Sequence, residues 1–235
     1  MILIRPSEER GHADHGWLRA KHSFSFADYY DPDEMGWGAL RVINEDRVAP
    51  DTGFGRHGHR DMEIVTYILS GALEHKDSLG NGGVIRRGEV QRMSAGKGIL
   101  HSEFNPSADE ETHLLQIWIE PAMKGTPASY EQQALPVDEM RGRWRLVASP
   151  DGAEGSTTIG QDARLWASIV PPGEALSYVL APGRLGYVHV VYGNATLNGQ
   201  VLEGGDGAKI ADETDLCFVA SDETEFLLFD LPPNT

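Results

Sequence analysis

Four side chains in two short stretches have the types and spacing of metal ligands. Gly53-Phe-Gly-Arg-His57-Gly-His59 sets two imidazoles two residues apart, and His101-Ser-Glu103 sets an imidazole and a carboxylate at the same interval. In an extended strand, residues i and i+2 point to one face, about 6.5–7 Å apart along the chain. Each pair is therefore aimed in one direction, and if the two strands lie side by side the pairs converge on one point. Three imidazoles and one carboxylate around a divalent cation suit Fe, Mn, Co, Ni or Cu better than Mg or Ca, which prefer oxygen donors. The glycines that flank both stretches permit tight turns there. Glu63 has the same strand parity, four residues beyond His59. It reads either as a rival to Glu103 for the fourth position or as a group that orients an imidazole.

Other candidates carry less. His12, His15 and His22 precede the strand pattern, and their spacing is not that of a strand pair. His75 lies in a polar hairpin with Lys76 and Asp77, and His113 opens an apolar strand, so both read as hydrogen-bonded rather than metal-bound. The single cysteine, Cys217, excludes an internal disulfide and any thiolate-built metal site. Standing between Leu216 and Phe218, it reads as a buried apolar thiol.

The elements that must position these residues are strands. Short apolar runs are punctuated by glycine and proline: Leu40–Ile43, Glu63–Leu69, Val84–Ile85, Val90–Met93 and His113–Ile119. A second series follows at Leu165–Val170, Ala175–Leu180, Tyr187–Tyr192, Leu216–Val219 and Glu225–Leu231. Turn signals such as Ser70-Gly71, Asn81-Gly82 and Asn198-Gly199 separate them, at intervals that fit an all-β sandwich or barrel. Only Ser129–Met140 leaves room for a short helical turn. The two series echo each other in order: Glu63-Ile-Val-Thr-Tyr with Gly186-Tyr-Val-His-Val, Arg87–Met93 with Gly205–Ile210, and His113–Pro121 with Glu225–Pro233. Repeated order implies a duplicated β-module. The second copy keeps only His189, with no partner at i+2, so the chemistry belongs to the first. The expected division is 1–125 for the site-bearing barrel, 126–143 for a connecting segment and 144–235 for a degenerate barrel.

Composition bounds the partners. The 235 residues carry 36 acidic against 20 basic side chains, a formal charge of −16, with 40% apolar residues. Nucleic acid and anionic lipid surfaces require clustered Lys and Arg, so direct nucleic-acid binding and membrane association are excluded as expectations. The first residues turn polar too soon for a signal peptide, and no window has the apolar length of a membrane helix. The expected location is cytoplasmic.

The same stretches resemble a known family. The Gly-flanked His57-x-His59 followed by Glu63 is similar to the first cupin motif, and His101-x-x-x-Asn105 to the second. Together with Phe24-Ser-Phe-Ala-Asp-Tyr-Tyr-Asp-Pro, Gly38-Ala-Leu-Arg-Val-Ile-Asn, Glu74-His-Lys-Asp-Ser and Gly96-Lys-Gly-Ile-Leu-His-Ser-Glu, the chain resembles the pirin family, in the bacterial branch related to quercetin 2,3-dioxygenases. The resemblance is specific over about residues 1–120 and reduces to layout beyond. It implies a bicupin, two double-stranded β-helix (jelly-roll) barrels, with one divalent metal held by His57, His59, His101 and Glu103. Iron comes first among the metals, with Mn, Co, Ni, Cu and Zn open. It also implies oxidative opening of a flavonol such as quercetin by O2 with release of carbon monoxide, Glu103 serving as the base. The cupin motif usually uses the carboxylate at Glu63, whereas the pirin pattern uses that at Glu103, and the pirin pattern is followed here. Two other readings remain: a non-catalytic iron or redox sensor acting through a protein partner, and a cupin isomerase or sugar-binding module.

Overall fold

The computed structural model describes residues 1–233, nearly all of them in strands and turns. In chain order the strands are β1 (Ile2–Arg5), β2 (Gly11–Asp14), β3 (Leu18–His22), β4 (Leu40–Val48), β5 (Gly53–His59), β6 (Glu63–Ser70), β7 (Ala72–Asp77), β8 (Gly82–Arg86), β9 (Glu89–Ser94), β10 (Ile99–Phe104) and β11 (Thr112–Ile119). They continue as β12 (Ser129–Ala134), β13 (Arg145–Ser149), β14 (Thr157–Thr158), β15 (Arg164–Val170), β16 (Ala175–Val179), β17 (Leu185–Tyr192), β18 (Asn194–Leu197), β19 (Gln200–Glu203), β20 (Gly207–Ile210), β21 (Asp215–Ala220) and β22 (Thr224–Leu231). Helical residues among those described are confined to short 3-10 turns, and none is long and apolar enough to cross a membrane.

Two compact units account for these strands. The first comprises Gly11–Leu135 with Thr157–Gln161; the second comprises Met1–Arg10, Pro136–Ser156 and the chain from Asp162 onward. In the first unit, a sheet in the order β12-β9-β6-β11-β4-β3-β2 faces a four-stranded sheet in the order β5-β10-β7-β8. In the second unit, β1-β20-β17-β22-β15-β13 accompanies β16-β21-β18-β19. The central runs β9-β6-β11-β4 and β20-β17-β22-β15 match strand for strand, as do the two four-stranded sheets. Each echo noted in the sequence falls on a matched pair: β6 with β17, β9 with β20, β11 with β22. The duplicated jelly-roll architecture is thus borne out.

The units divide differently from the spacing in the sequence. The alternating apolar residues Ile2 and Ile4 of β1 pack against the second unit's core, and β1 pairs antiparallel with β20 from Ile2↔Ile210 to Arg5↔Gly207. The chain therefore begins in the second unit and enters the first at Gly11. The segment expected as a connector is largely structured: Ser129–Ala134 is β12, paired with β9, and only Val137–Met140 makes a 3-10 turn. His12 and His22, placed before the barrel by their spacing, lie on β2 and β3 of the first unit's larger sheet.

The interiors of the two units differ. The second is filled by one apolar cluster that includes Leu216, Phe218, Phe226 and Leu228, all essentially buried. In the first, apolar packing gathers at Ile68, Leu73, Ile85 and Leu114 in one place and at Ile64, Met93 and Ile99 in another. Asn44, Asp46, His75, Gln91, His101 and Glu103 are buried polar residues of the same unit. Buried polar groups in such number are costly unless bonded to something, which singles out this interior as the place for chemistry.

Cys217 corrects the sequence reading. On β21 burial alternates strictly, with Leu216, Phe218 and Ala220 buried and Cys217 exposed. Its two apolar neighbours point inward, and a strand of period two then turns the residue between them outward.

Candidate metal centre

β5 and β10 lie side by side as antiparallel neighbours, pairing His101 with His57 and Ile99 with His59. A register shift between His101 and Glu103 brings Glu103 opposite Phe54. Close approach at that bulge requires Gly53, where a Cβ would strike the carbonyl oxygen of Glu103. The three imidazoles converge: ring centroids are 4.4 Å apart for His57 and His101, 4.8 Å for His57 and His59, and 4.8 Å for His59 and His101. One nitrogen from each lies within 4.8 Å of the other two. Glu103 joins a second group of the same tightness, formed with His101 and His75. The pairs read from the sequence are therefore brought together, with His101 common to both groups.

Hydrogen bonds fix which nitrogens face inward. His57 Nδ1 lies 2.8 Å from the Gly55 carbonyl oxygen, which can only accept, so Nδ1 carries the proton and Nε2 keeps its lone pair. His57 Nε2 and His101 Nε2 face each other at 3.0 Å. Two lone pairs at that distance repel unless a proton or a cation lies between them. On its other side, His101 Nδ1 lies 3.4 Å from His75 Nδ1, and His75 Nε2 lies 3.3 Å from Asp77 Oδ2. Asp77 in turn accepts from the Asn81 amide side chain at 2.9 Å and from the backbone N–H groups of Leu79 and Asn81. This Asp77–His75–His101 chain is the arrangement that orients a metal-bound imidazole from behind.

Electrostatics favour neutral imidazoles. Burial, and next the charge on His57, holds His59 down at about 4. Burial, and next the charges on His57, His59 and His75, holds His101 down at about 3. Both rings are therefore unprotonated and available as ligands at neutral pH. Burial raises Glu103 to about 7, offset in part by the Gln116 amide that donates to its Oε2 at 3.0 Å. An all-imidazole cluster beside a buried carboxylate, with two ring nitrogens facing each other, fits a borderline divalent cation and no redox-inert oxygen-seeking one.

Glu63 plays neither part expected of it. The turn after His59, with Asp61 at a φ of 50°, starts a new strand, so the parity argument stops at His59. The Glu63 carboxylate accepts from Ser94 Oγ at 2.6 Å and from the backbone of Gly160, and it lies outside both ligand groups. Asn105, from the second motif, is a structural pin whose amide donates to the carbonyls of Val48 and Glu110. His113 bonds Glu45 at 2.9 Å, the role the sequence suggested. His75 is hydrogen-bonded too, yet it stands directly against the cluster, which its hairpin setting did not reveal.

A cavity of about 240 Å³ opens beside the imidazoles. Phe26, Phe54 and Trp118 give it aromatic walls, and Asn44, Asp46 and Glu103 give it polar ones. Trp118 meets the His59 ring edge-on at 4.9 Å, and the His22 ring on the same cavity is held by Asn44 at 2.8 Å. Sequence reasoning missed Asp46. Its only signal was an inward polar residue in an apolar strand, at the same parity as Asn44. Burial, then the charges of Glu103 and Glu45, raises its carboxyl to about 7.

Comparison with known proteins agrees with this geometry. The pirin family matches residues 4–119 and the quercetinase C-terminal cupin domain matches residues 146–231. A quercetin 2,3-dioxygenase of Escherichia coli is 48% identical over 99% of this chain and 100% of its own length, and a pirin-like protein of Caulobacter vibrioides is 45% identical over 98% and 99%. The crystal structure of the bacterial pirin YhhW from Escherichia coli in complex with nickel(II) superposes with a TM-score of 0.95 at 48% identity, covering 99% of this chain and all of that one. With a His/Glu cluster suited to a divalent metal in the first of two cupin barrels, the chain belongs to the pirin family, in its bacterial quercetin 2,3-dioxygenase-like branch.

Proposed function

We propose that this protein is a metal-dependent dioxygenase that opens a flavonol such as quercetin with O2, giving a ring-opened ester and carbon monoxide. His57, His59, His101 and Glu103 would hold one divalent cation, with iron the first candidate. When bound, the metal supplies Lewis acidity and a template on which the substrate oxygen and O2 are brought together. The observation that carries the reading is the facing Nε2 pair of His57 and His101, with His59 alongside, at the wall of an aromatic cavity.

The chain's own residues divide the remaining work. Phe26, Phe54 and Trp118 stack or edge against a flat aromatic ring and exclude water from it. A cavity of about 240 Å³ admits a fused two-ring system, given that about 150 Å³ suffices for benzene. Glu103 accepts the proton of the flavonol 3-hydroxyl at its carboxylate and later returns it. A carboxylate at the wall of the cavity lies where it can reach a hydroxyl proton of the bound substrate. The Gln116 amide, donating to Oε2, keeps that carboxylate from rotating away. Metal-replete protein incubated with quercetin should bleach the flavonol absorbance while consuming O2 and releasing carbon monoxide. No bleaching and no carbon monoxide would overturn the reading.

A further inference from the structure

Asp46 is a buried carboxyl group of the cavity that the reaction above leaves unused. It sits on β4 and is only 5% exposed, and it lines the cavity together with Glu103, His57 and His59. Its Oδ1 is enclosed and has no hydrogen-bond donor among the described residues. An unbonded buried carboxyl oxygen costs folding free energy, so a fold that gains nothing from it would not be expected to keep it. The second unit shows what the fold itself needs at this place. β4 pairs Asp46 with Leu114 of β11, and β15 pairs Ser168 with Phe226 of β22 in the matching position. Ser168 is fully buried as well, but its hydroxyl donates to the Met140 carbonyl at 3.3 Å. The cavity also holds a complementary orphan: Trp118 lines it, and its buried Nε1–H has no acceptor among the described residues. One wall group can therefore take a hydrogen bond and another can give one.

Resting on the dioxygenase reading of the same cavity, we propose that Asp46 is its specificity-determining residue, accepting a hydrogen bond from a hydroxyl of a polyhydroxylated aromatic substrate other than the one that meets the metal ligands. The occupant is thus a flat molecule that carries a hydroxyl to donate and, facing Trp118, an oxygen to accept. A site built to bond a hydroxyl discriminates strongly against the analogue that lacks it, because the wall group is then left buried and unpaired.

The test uses metal-replete protein, quercetin, and the set of quercetin analogues that each lack one hydroxyl, with binding read from quenching of tryptophan fluorescence. In the wild type, removing one particular hydroxyl should weaken binding about tenfold or more. In Asp46→Ala that penalty should vanish while the penalties for the other hydroxyls persist, with metal content unchanged. Asp46→Asn, whose amide still bonds a hydroxyl, should keep part of the discrimination. Both variants should melt above the wild type, as expected when an unpaired buried carboxyl is relieved. Identical analogue penalties in wild type and Asp46→Ala, or loss of metal or a lowered melting temperature in both variants, would overturn the assignment. Hydroxyl coupling to Asp46 without O2 consumption would support it while overturning the dioxygenase reading; quercetin cleavage without such coupling would do the reverse.

Discussion

The two barrels share a strand order and differ in what they place on it. Pairing registers align them position by position. His101 lies opposite His57 where Leu216 lies opposite Tyr178, and Glu103 lies opposite Phe54 where Phe218 lies opposite Leu176. On its other side Glu103 lies opposite His75 of β7 where Phe218 lies opposite Leu197 of β18. The second barrel thus fills with Tyr178, Leu216 and Phe218 the positions that the first gives to His57, His101 and Glu103. One interior is a packed apolar core. The other gives up that packing around its imidazoles for a cavity and a ligand cluster. The scaffold is therefore indifferent to the site, and the chemistry lies in a handful of inward side chains.

Single replacements in the two barrels test that comparison. The largest effect is expected for Glu103→Ala, which removes both a proposed ligand and the proposed base. Turnover should fall by about 10²–10⁴. Retained metal and activity in this variant would favour an isomerase or binding module instead. His75→Ala comes next. It leaves every proposed ligand in place but frees the back of His101, and metal affinity should weaken by about 10–100-fold, measured by competition with a chelator. An unchanged affinity would reduce the Asp77–His75–His101 chain to packing.

Asp46→Ser, which imports the counterpart Ser168, should act on pH dependence in the metal-free protein. In the folded state Asp46 keeps its proton up to about 7, against an ordinary value of 3.8. Between those values the folded state binds more protons than the unfolded, so stability falls as pH rises through the window. Urea midpoints at pH 4.5 and 7.5 should differ less in the variant than in the wild type. Equal differences would show that Asp46 is not the group responsible. The smallest effect belongs to Cys217→Ser in the second barrel. An exposed thiol on the outer face of β21 should change stability by less than about 0.5 kcal/mol, whereas a buried one would cost more.

These positions also show what could be read from the chain alone. His57, His59, His101 and Glu103 were legible because each pair is local, two residues apart on one strand, and because only one pairing of the strands unites them. The duplication was legible because turn glycines and strand lengths repeat in order. Asp46 and His75 were not, since nothing in their own segments tells which strand faces the cluster; that is decided by pairing across β4–β11 and β7–β10. The exchange of β1 into the second unit joins Ile2 to Ile210, a separation that no local pattern can signal. Glu63 misled because strand parity was carried across a turn. Cys217 was within reach: two inward apolar neighbours on a strand already imply an outward residue between them.

Metal binding is proposed to reside in the imidazole cluster of the first barrel. Elemental analysis of purified wild type beside the His57→Ala, His101→Ala double variant tests it most directly. The wild type should hold about one divalent metal ion per chain and the folded double variant only background, whichever metal is found. Equal metal content in the two proteins would contradict the account.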